Sequence, residues 1–407
     1  MRTDSERLRF EVAATDGAAR TGVLHTGHGP VTTPAFIPLA TRATVRTMEP
    51  FEVEEIGYRM VLGNTFHLLL APGPERIAEL GGLHEFMGWP NAIITDSGGF
   101  QIFSLAHGNV ADEIKGRRGQ RESAGSVLEV NEDGVRFRSY VDGSEHMLGP
   151  EDSMRVQAAL GSDIALVLDE CTPFHADREY TARSTERTHR WLDRCLEWHE
   201  REGTRRQAVF GIVQGGVHDD LRRLSSERVA AAPVDGLAIG GTLGRDKPEM
   251  YGVLDITLPG LPTEAPKHLL GIGEPDDLLE GIARGIDLFD CAVPTRLARH
   301  GMALAPLPES RFRFDVRRAV HAREAAPLVD GCPCRTCAEH SRAYLHYLSR
   351  AEELTGAKLI TRHNLEFVER LMSGARGAIA EGCLQPYAEA VMAGWAPWEA
   401  AEAVGTS

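Results

Sequence analysis

Three aspartates stand at the ends of short apolar runs in this chain of 407 residues: Asp96, Asp169 and Asp290. Burying a carboxylate beside an apolar strand costs free energy unless a partner or a ligand compensates for it. A carboxylate can attack an electrophilic carbon, and a pair of carboxylates can divide one displacement into two steps through a covalent intermediate. Asp290 would suit the attacking role. The three aspartates therefore predict an acidic catalytic site, provided that the fold brings them together.

Each aspartate also has a structural interpretation, which the residue types alone leave open. Asp96 begins Asp-Ser-Gly-Gly, which is equally an ordinary turn sequence. Asp169 could cap the helix that follows it. Asp290 could form an ion pair with Arg296.

Neighbouring side chains favour a planar ligand at the same place. The carboxylate of Asp169 could accept two hydrogen bonds from the N1–H and amino groups of guanine. Phe100 offers an aromatic face for stacking, and Gln214 offers an amide. The glycine pair at 240–241 could bring backbone groups close to a ligand. These signals are weak individually, but they follow successive apolar runs.

Eight such runs alternate with helix-like stretches, a pattern typical of a (β/α)8 TIM barrel, whose active site lies at the carboxyl ends of the strands. The runs cover residues 35–39, 60–62, 92–95, 163–168, 208–213, 237–239, 268–271 and 286–289. The intervening helices are predicted at 49–58, 73–80, 152–160, 180–202, 219–231, 247–256 and 275–284. We expect one catalytic domain spanning residues 1–407.

The third unit of this pattern is irregular. Alternating apolar and polar residues flank Asn131-Glu-Asp-Gly134, and Asp-Gly between such runs predicts a β-hairpin. We therefore expect an antiparallel hairpin excursion from the barrel, preceded by a polar loop at 106–125. After the eighth run, a basic stretch at 310–321 resembles a strand.

A cluster of cysteines predicts a metal site outside the barrel strands. Cys332, Cys334 and Cys337 form a C-x-C-x-x-C array, and His363 lies on a later helix-like segment. Three thiolates and one imidazole are a standard tetrahedral zinc set, and a closed set of four ligands is structural rather than catalytic. His340 and His346 are alternative fourth ligands. The site would stabilise a zinc-binding subdomain at 310–365 inserted near the C-terminus.

Composition limits the class of protein. A net charge of −15 argues against non-specific nucleic-acid binding, although basic stretches occur locally at 116–121, 296–299 and 311–323. The seven cysteines do not form the pattern of a disulfide framework. Apolar segments are too short for a membrane helix, and the N-terminus lacks the apolar core of a secretory signal. We therefore expect a cytoplasmic protein without membrane partners.

Several long motifs resemble the tRNA-guanine transglycosylase family, specifically its bacterial branch. They are Gly63-Asn-Thr-Phe-His-Leu68, Thr95-Asp-Ser-Gly-Gly-Phe-Gln101, Asp169-Glu-Cys-Thr-Pro173, Phe210-Gly-Ile-Val-Gln-Gly-Gly216, Phe289-Asp-Cys-Ala-Val-Pro-Thr-Arg296 and the cysteine cluster. The resemblance runs from about residue 10 to 374. It implies a TIM barrel that exchanges guanine at the anticodon wobble position of tRNA for a 7-deazaguanine, in queuosine biosynthesis.

The resemblance also implies a role for each matching residue. Asp290 would be the nucleophile on the ribose C1′, and Asp96 the general acid/base. One structural zinc ion would bind Cys332, Cys334, Cys337 and His363, and the protein would form a homodimer. The residues that would contact the base are Asp169, Gln214, Gly241, Phe100, Cys171 and Leu270, and those that would contact the anticodon loop are Arg296 and Arg299.

Departures from the bacterial pattern affect the choice of incoming base. Residues 240–244 are one residue shorter than usual, Leu270 replaces a methionine that packs against the base, and Leu297 replaces a small or polar residue. Asp169-Glu-Cys-Thr favours aminomethyl-7-deazaguanine (preQ1), with queuine as the alternative.

Two other functions are weighed against this one. A zinc-dependent barrel hydrolase would need an open site of histidine and carboxylate ligands at strand ends. A non-catalytic tRNA-binding subunit of the same fold would be expected to lose Asp96 or Asp290, and both are present.

Overall fold

Eight parallel strands close into a barrel in a computed structural model that describes residues 7–106, 127–172, 176–241 and 244–405. All eight predicted runs contribute a strand, which confirms the TIM barrel. Buried side chains fill these strands almost continuously, as expected when helices cover the outside of the sheet. In chain order the barrel strands are Ala35–Ala40, Met60–Gly63, Ala92–Thr95, Ile164–Leu166, Ala208–Val213, Gly236–Ile239, Lys267–Leu269 and Leu288–Cys291.

Helices follow the strands at the predicted positions, with ends that differ by a few residues. Proline occupies the first turn of several of them, where its missing N–H costs no hydrogen bond. Trp191 and Cys195 on the helix Arg178–Glu202 are fully buried and pack in the core. The helices up to the eighth strand are Pro50–Ile56, Thr65–Leu70, Pro74–Glu79, Gly82–Met87, Gly99–Ala106, Pro150–Leu160, Arg178–Glu202, Asp219–Ala230, Lys247–Thr257 and Pro275–Ala283, with a 3-10 turn at Leu258–Gly260.

The excursion after the third strand is a three-stranded antiparallel sheet of Val127–Val130, Val135–Arg138 and Glu145–Leu148. The predicted hairpin is confirmed. Asn131 forms its turn, because the side-chain oxygen accepts hydrogen bonds from the backbone N–H groups of Asp133 and Gly134 at 2.9 and 3.3 Å. Nearly all of the predicted polar loop at 106–125 lies outside the described residues.

A second antiparallel sheet precedes the barrel, and the sequence did not predict it. Its strands are Arg9–Asp16, Ala19–Thr26 and Gly29–Thr33. The first strand is mostly exposed, so it lacks the apolar alternation that marks a half-buried strand. The first two strands pack against the long C-terminal helix Leu354–Ala380.

Beyond the eighth barrel strand the chain builds a smaller, separate core around the cysteines. The predicted strand at 310–321 is wrong except at Arg313–Asp315, which pairs with Met302–Leu304. Arg311 and Phe312 have φ angles of 57° and 56°, and this left-handed backbone cannot continue a strand. The remaining helices are Val293–Arg299, Arg335–Glu339, Arg342–Arg350, Leu354–Ala380, Leu384–Met392 and Pro397–Ala403, with 3-10 turns at Pro308–Ser310 and Ala319–Arg323.

Within the described ranges, no helix combines the length and apolar character required to cross a membrane.

Candidate active site

The three aspartates all lie at the carboxyl-terminal end of the barrel. Asp96 follows the third strand directly, and Asp169 lies a few residues beyond the end of the fourth. Asp290 was predicted to follow the eighth strand, and this is wrong by a small margin. It lies inside Leu288–Cys291, because pairing with the first strand continues as far as Cys291 opposite Pro38.

Asp96 is a partly buried carboxyl group surrounded by donors. Oδ1 accepts the backbone N–H of Thr65 at 2.8 Å, and Oδ2 accepts the amides of Asn64 and Gln101, the latter at 2.9 Å. Burial nevertheless raises the pKa of Asp96 to about 7, and the negative charge of Asp290 contributes to the rise. The two carboxylates are therefore close enough to interact, and Asp96 can gain or lose a proton near neutral pH.

Asp169 is buried and forms a polar pair with the fifth strand. The Gln214 amide donates to its Oδ2 at 2.5 Å, and the Ser97 hydroxyl donates to its Oδ1 at 3.1 Å. Burial raises the pKa of Asp169 to about 6, despite both hydrogen bonds. Gln214 Oε1 is buried and has no hydrogen-bond partner within the described residues. An unsatisfied acceptor of this kind is costly in a folded protein and is typical of a site that awaits a ligand.

Asp290 is buried among residues of the seventh strand and the loop after it. The backbone N–H of Gly271 donates to its Oδ1 at 3.2 Å, and His268 Nε2 lies 2.9 Å from the same oxygen. His268 itself is fully buried. Across the ranges that the structure describes, these contacts all involve Oδ1, which leaves Oδ2 as the oxygen that can face a reacting atom.

Gly241 occupies a position that only glycine tolerates. Its φ of +82° is left-handed, and a Cβ there would lie 2.2 Å from Gln214 Oε1. The backbone of Gly241 also donates a hydrogen bond to the buried thiol of Cys171, whose pKa is raised far above its ordinary value by burial. Gly241, Gln214, Cys171 and Asp169 thus form one continuous lining.

Comparison with known proteins identifies the family. A family model described as Queuine tRNA-ribosyltransferase matches residues 15–397. A protein named Queuine tRNA-ribosyltransferase from Roseiflexus sp. (strain RS-1) is 49% identical over 386 residues, which are 92% of this chain and 96% of the relative. Relatives of the same name from Pelotomaculum thermopropionicum and Symbiobacterium thermophilum are 49% and 44% identical over 365 and 396 residues, covering 89% and 97% of this chain and 92% and 93% of theirs.

The chain belongs to the queuine tRNA-ribosyltransferase family. The resemblance found in the sequence motifs is therefore confirmed.

The remaining base-contacting residues predicted for this queuine tRNA-ribosyltransferase family member lie at the same, carboxyl-terminal end of the barrel. Phe100 is half-buried at the start of the helix after Asp96 and packs against the core. Leu270 follows the seventh strand, is also half-buried, and lies close to Gly240. Thr242 and Leu243, part of the shortened segment, lie outside the described residues.

The two predicted RNA-binding arginines lie on the helix Val293–Arg299, which follows the eighth strand. The pKa of Arg299 is lowered, first by burial and then by the positive charges of Arg46 and Arg296. The guanidinium groups of Arg46, Arg296 and Arg299 are thus close enough for their like charges to interact. Such a cationic group beside the site is suited to phosphate contacts. Arg46 was not predicted, because an isolated arginine in a loop carries no sequence signal.

The four predicted metal ligands come together, with their donor atoms within 4.8 Å of one another. His363 Nδ1 lies 3.8, 3.4 and 3.4 Å from the sulfurs of Cys332, Cys334 and Cys337. A tetrahedral zinc ion with standard bond lengths would require nitrogen–sulfur separations of about 3.5 Å. His363 Nε2 contacts the Leu304 carbonyl at 2.8 Å, which leaves Nδ1 directed toward the three sulfurs.

The two alternative ligands lie elsewhere. His340 packs its ring against Tyr344, with ring centroids 5.5 Å apart. His346 Nδ1 contacts the Val316 carbonyl at 2.9 Å. Geometry therefore selects His363 as the fourth donor.

Sequence reasoning missed the residues that hold the carboxylates in place. Asn64 and Thr65 belong to a motif that was noted without a role, and Asn64 also caps the helix Thr65–Leu70. His268 begins the seventh apolar run directly after the charged Lys267, so no signal in the sequence marked its burial in the strand Lys267–Leu269. Arg222, fully buried, donates to the carbonyls of Gly216 and Val213 at 2.7 and 3.2 Å and supports the end of the fifth strand.

Proposed function

We propose that this protein is a tRNA-guanine transglycosylase, an enzyme of the pentosyltransferase class, which exchanges guanine at the anticodon wobble position for a 7-deazaguanine. The observation that carries the proposal is the placement of Asp96 and Asp290 together at the carboxyl end of the barrel. Family membership supports the same reaction.

Asp290 acts as the nucleophile. Its Oδ2 attacks the ribose C1′, the bond from C1′ to the guanine nitrogen breaks, and a covalent aspartyl-ribose intermediate forms. The contacts from Gly271 and His268 to Oδ1 fix the carboxylate while leaving Oδ2 toward the sugar. Attack by the incoming base at the same carbon then releases Asp290, so two displacements retain the configuration.

Asp96 acts as the general acid and base. A group with a pKa near the working pH can donate a proton to the departing guanine and accept one from the incoming base. The pKa of about 7 supports this use, because both protonation states are populated at neutral pH. Donors from Asn64, Thr65 and Gln101 keep the charged form from becoming too unfavourable.

The base is read by the lining around Asp169. The carboxylate of Asp169 accepts hydrogen bonds from the N1–H and amino groups of the base. Such hydrogen bonds are strongest when the carboxylate is charged. Gln214 and the backbone of Gly241 contact the other edge, and Phe100 and Leu270 cover the ring faces. The target nucleotide must leave its stack to reach this cavity, which is feasible in a single-stranded anticodon loop. Arg296 and Arg299 contact the phosphates of that loop.

The incoming base is preQ1 in this proposal. Asp169-Glu170-Cys171-Thr172 supports this choice, and queuine is the alternative. Glu170 is buried and contacts Tyr180 and Arg187 at 2.6 Å each, so it is committed to the protein framework rather than to a ligand.

Zinc at Cys332, Cys334, Cys337 and His363 has a structural role here. The ion would cross-link a short segment that has little apolar surface to bury, and it would take no part in the exchange. We propose residues 310–365 as the zinc-binding subdomain of one catalytic domain that spans the chain, located in the cytoplasm.

A homodimer is also proposed. Phe51 and Leu354 expose 61% and 80% of their surface. They lie on neighbouring helices, which are joined by the ion pair of Lys358 and Glu52 at 3.0 Å. A second copy covering this surface would remove apolar area from water.

The decisive experiment measures incorporation of labelled guanine and preQ1 into tRNA, together with a denaturing gel that detects enzyme bound covalently to RNA. Asp290→Asn should abolish both exchange and adduct while preserving the fold. Asp255→Asn is the matched control, since Asp255 is a surface carboxylate with 58% of its side chain exposed. Normal exchange by Asp290→Asn would reject the assignment, and parallel kinetics with preQ1, its nitrile precursor and queuine would identify the base.

A further inference from the structure

A compact group of two histidines and one aspartate lies at the opposite end of the barrel from the aspartates of the active site. His28 belongs to the turn between the second and third N-terminal strands, and His84 to the helix Gly82–Met87. Asp163 immediately precedes the fourth barrel strand. Three elements that are distant in sequence thus meet at the amino-terminal end of the barrel.

The donor atoms of these side chains converge. His28 Nδ1 lies 2.8 Å from Asp163 Oδ1, and His84 Nε2 lies 3.2 Å from Asp163 Oδ2. All three donor atoms fall within 4.8 Å of one another. Around a transition-metal ion in octahedral coordination with bonds of about 2.1 Å, adjacent nitrogen and oxygen donors lie about 3 Å apart. The observed separations match that spacing.

The aspartate is held rigidly. Its Oδ2 accepts the backbone N–H of Ile93 at 2.8 Å, and its own backbone pairs with Ile93 and Ala208 on the adjacent strands at 2.8 Å each. The side chain is only 2% exposed. A carboxylate positioned in this way is preorganised, because little conformational freedom remains to be lost on binding.

Hydrogen bonds to Asp163 do not explain the positions of both histidine side chains. His84 Nε2 is buried and lies near the carboxylate, yet it makes no well-directed hydrogen bond within the described part of the chain. The two imidazole rings stack with centroids 3.5 Å apart and planes 16° apart.

We propose that His28, His84 and Asp163 form a second metal site, which binds a borderline divalent cation such as Zn²⁺ or Ni²⁺. Imidazole nitrogen with one carboxylate suits these ions, whereas the thiolate cluster is a softer and fully enclosed set. His28 exposes 43% of its side chain, so an ion can enter from solvent and complete its coordination with water. A bound metal ion would link the N-terminal sheet to the amino-terminal end of the barrel.

The test uses untagged full-length protein with its cysteine-bound zinc retained, titrated with Ni²⁺ by calorimetry. We expect one additional ion per chain, bound at micromolar concentration, and an affinity at least tenfold weaker in His28→Ala and in His84→Gln. His25→Ala is the matched control, because His25 lies on the same hairpin, in the strand Ala19–Thr26, but contacts Glu11 instead. We expect its affinity to equal that of the wild type.

Cobalt distinguishes this site from the thiolates. Co²⁺ bound here should give weak d–d absorption without the near-ultraviolet charge-transfer band of a cobalt–thiolate bond, and His28→Ala should remove that signal. Absence of the additional ion would overturn the proposal. So would equal weakening in His25→Ala, or a thiolate band that accounts for all bound cobalt.

Discussion

Replacing Asp96 with asparagine should make the protein more stable at alkaline pH, even though it should abolish exchange. Burial raises the pKa of Asp96 from 3.8 to about 7. An unfolded chain would ionise this group near 3.8, so the folded state binds the proton more tightly over the interval between the two values. The stability that comes from the protonated carboxyl is fully present below pH 3.8 and is lost as pH rises through about 7. Asparagine removes the charge and loses the acceptor that faces the amides of Asn64 and Gln101, and the cost of that loss should not change with pH.

The magnitude follows from the two pKa values. One pKa unit corresponds to about 1.4 kcal/mol, so ionising a fully buried group here would cost about 4 kcal/mol at high pH. Asp96 is only partly buried, and water reaching it through the cavity reduces this cost. We therefore expect the free energy of unfolding of Asp96→Asn, relative to wild type, to rise by about 1–3 kcal/mol between pH 5 and pH 8.

Urea unfolding at several pH values between 5 and 9 measures this difference. Asp169 is also shifted, to a pKa of about 6, but it is present in both proteins and its contribution cancels in the comparison. Asp255→Asn should show a difference from wild type that does not change with pH. If the unfolding free energies of Asp96→Asn and wild type run parallel across the range, the electrostatic reasoning is wrong.

Four further substitutions test other parts of the site. Gly241→Ala places a methyl group 2.2 Å from Gln214 Oε1 and should raise KM for the base about tenfold, which corresponds to about 1.4 kcal/mol of lost binding. His268→Phe removes the contact at 2.9 Å to Asp290 and should lower kcat with little change in KM for tRNA, while His268→Gln, which keeps a donor, should recover part of the rate. Cys334→Ser should reduce zinc content measured by mass spectrometry and lower the thermal unfolding midpoint. Arg299→Ala should weaken tRNA binding and reduce the slope of log affinity against log salt by about one.

Each of these has an outcome that contradicts it. For Gly241→Ala, the contradicting outcome is an unchanged KM for the base. For the histidine, equal activity of the phenylalanine and glutamine variants would mean that the polar contact with Asp290 is unimportant. For the cysteine, full zinc content would reassign the ligands. For the arginine, an unchanged salt slope would exclude a phosphate contact, with Arg183→Ala as the control, since Arg183 pairs with Glu179 on a distant helix.

The barrel was predictable because its strands are buried on both faces. Each appears in the sequence as a continuous apolar run, and the intervening helices begin at recognisable proline or acidic positions. The N-terminal sheet has no such signal, because its first strand has mostly exposed side chains. The strand predicted for the basic stretch at 310–321 was wrong for a different reason. Its composition suits a strand, but the left-handed backbone at Arg311 and Phe312 depends on tertiary packing that spacing cannot reveal.

The positions of the proposed catalytic aspartates were predictable from the sequence, whereas the pKa values of Asp96 and Asp169 were not. A carboxylate after an apolar run is visible in the sequence. The rise of the pKa of Asp96 depends on burial and on Asp290, which lies far away along the chain. His268 was missed for the same reason, since its significance comes from a contact 2.9 Å long between different strands.

A second set of aspartates shows why position relative to the strand decides between structure and chemistry. Asp163, Asp235 and Asp287 each precede a barrel strand, and each accepts a backbone N–H from a neighbouring strand, at 2.8, 2.9 and 2.7 Å. These carboxylates satisfy donors at the amino-terminal rim, where a barrel gains stability. Asp96, Asp169 and Asp290, at the carboxyl-terminal rim, accept hydrogen bonds mainly from loops and side chains. At least one carboxylate oxygen of each can therefore face a ligand. Position before or after the strand therefore predicts whether such a carboxylate bonds to the neighbouring strand, as Asp163 does even within its proposed metal site, or lies in the candidate active site.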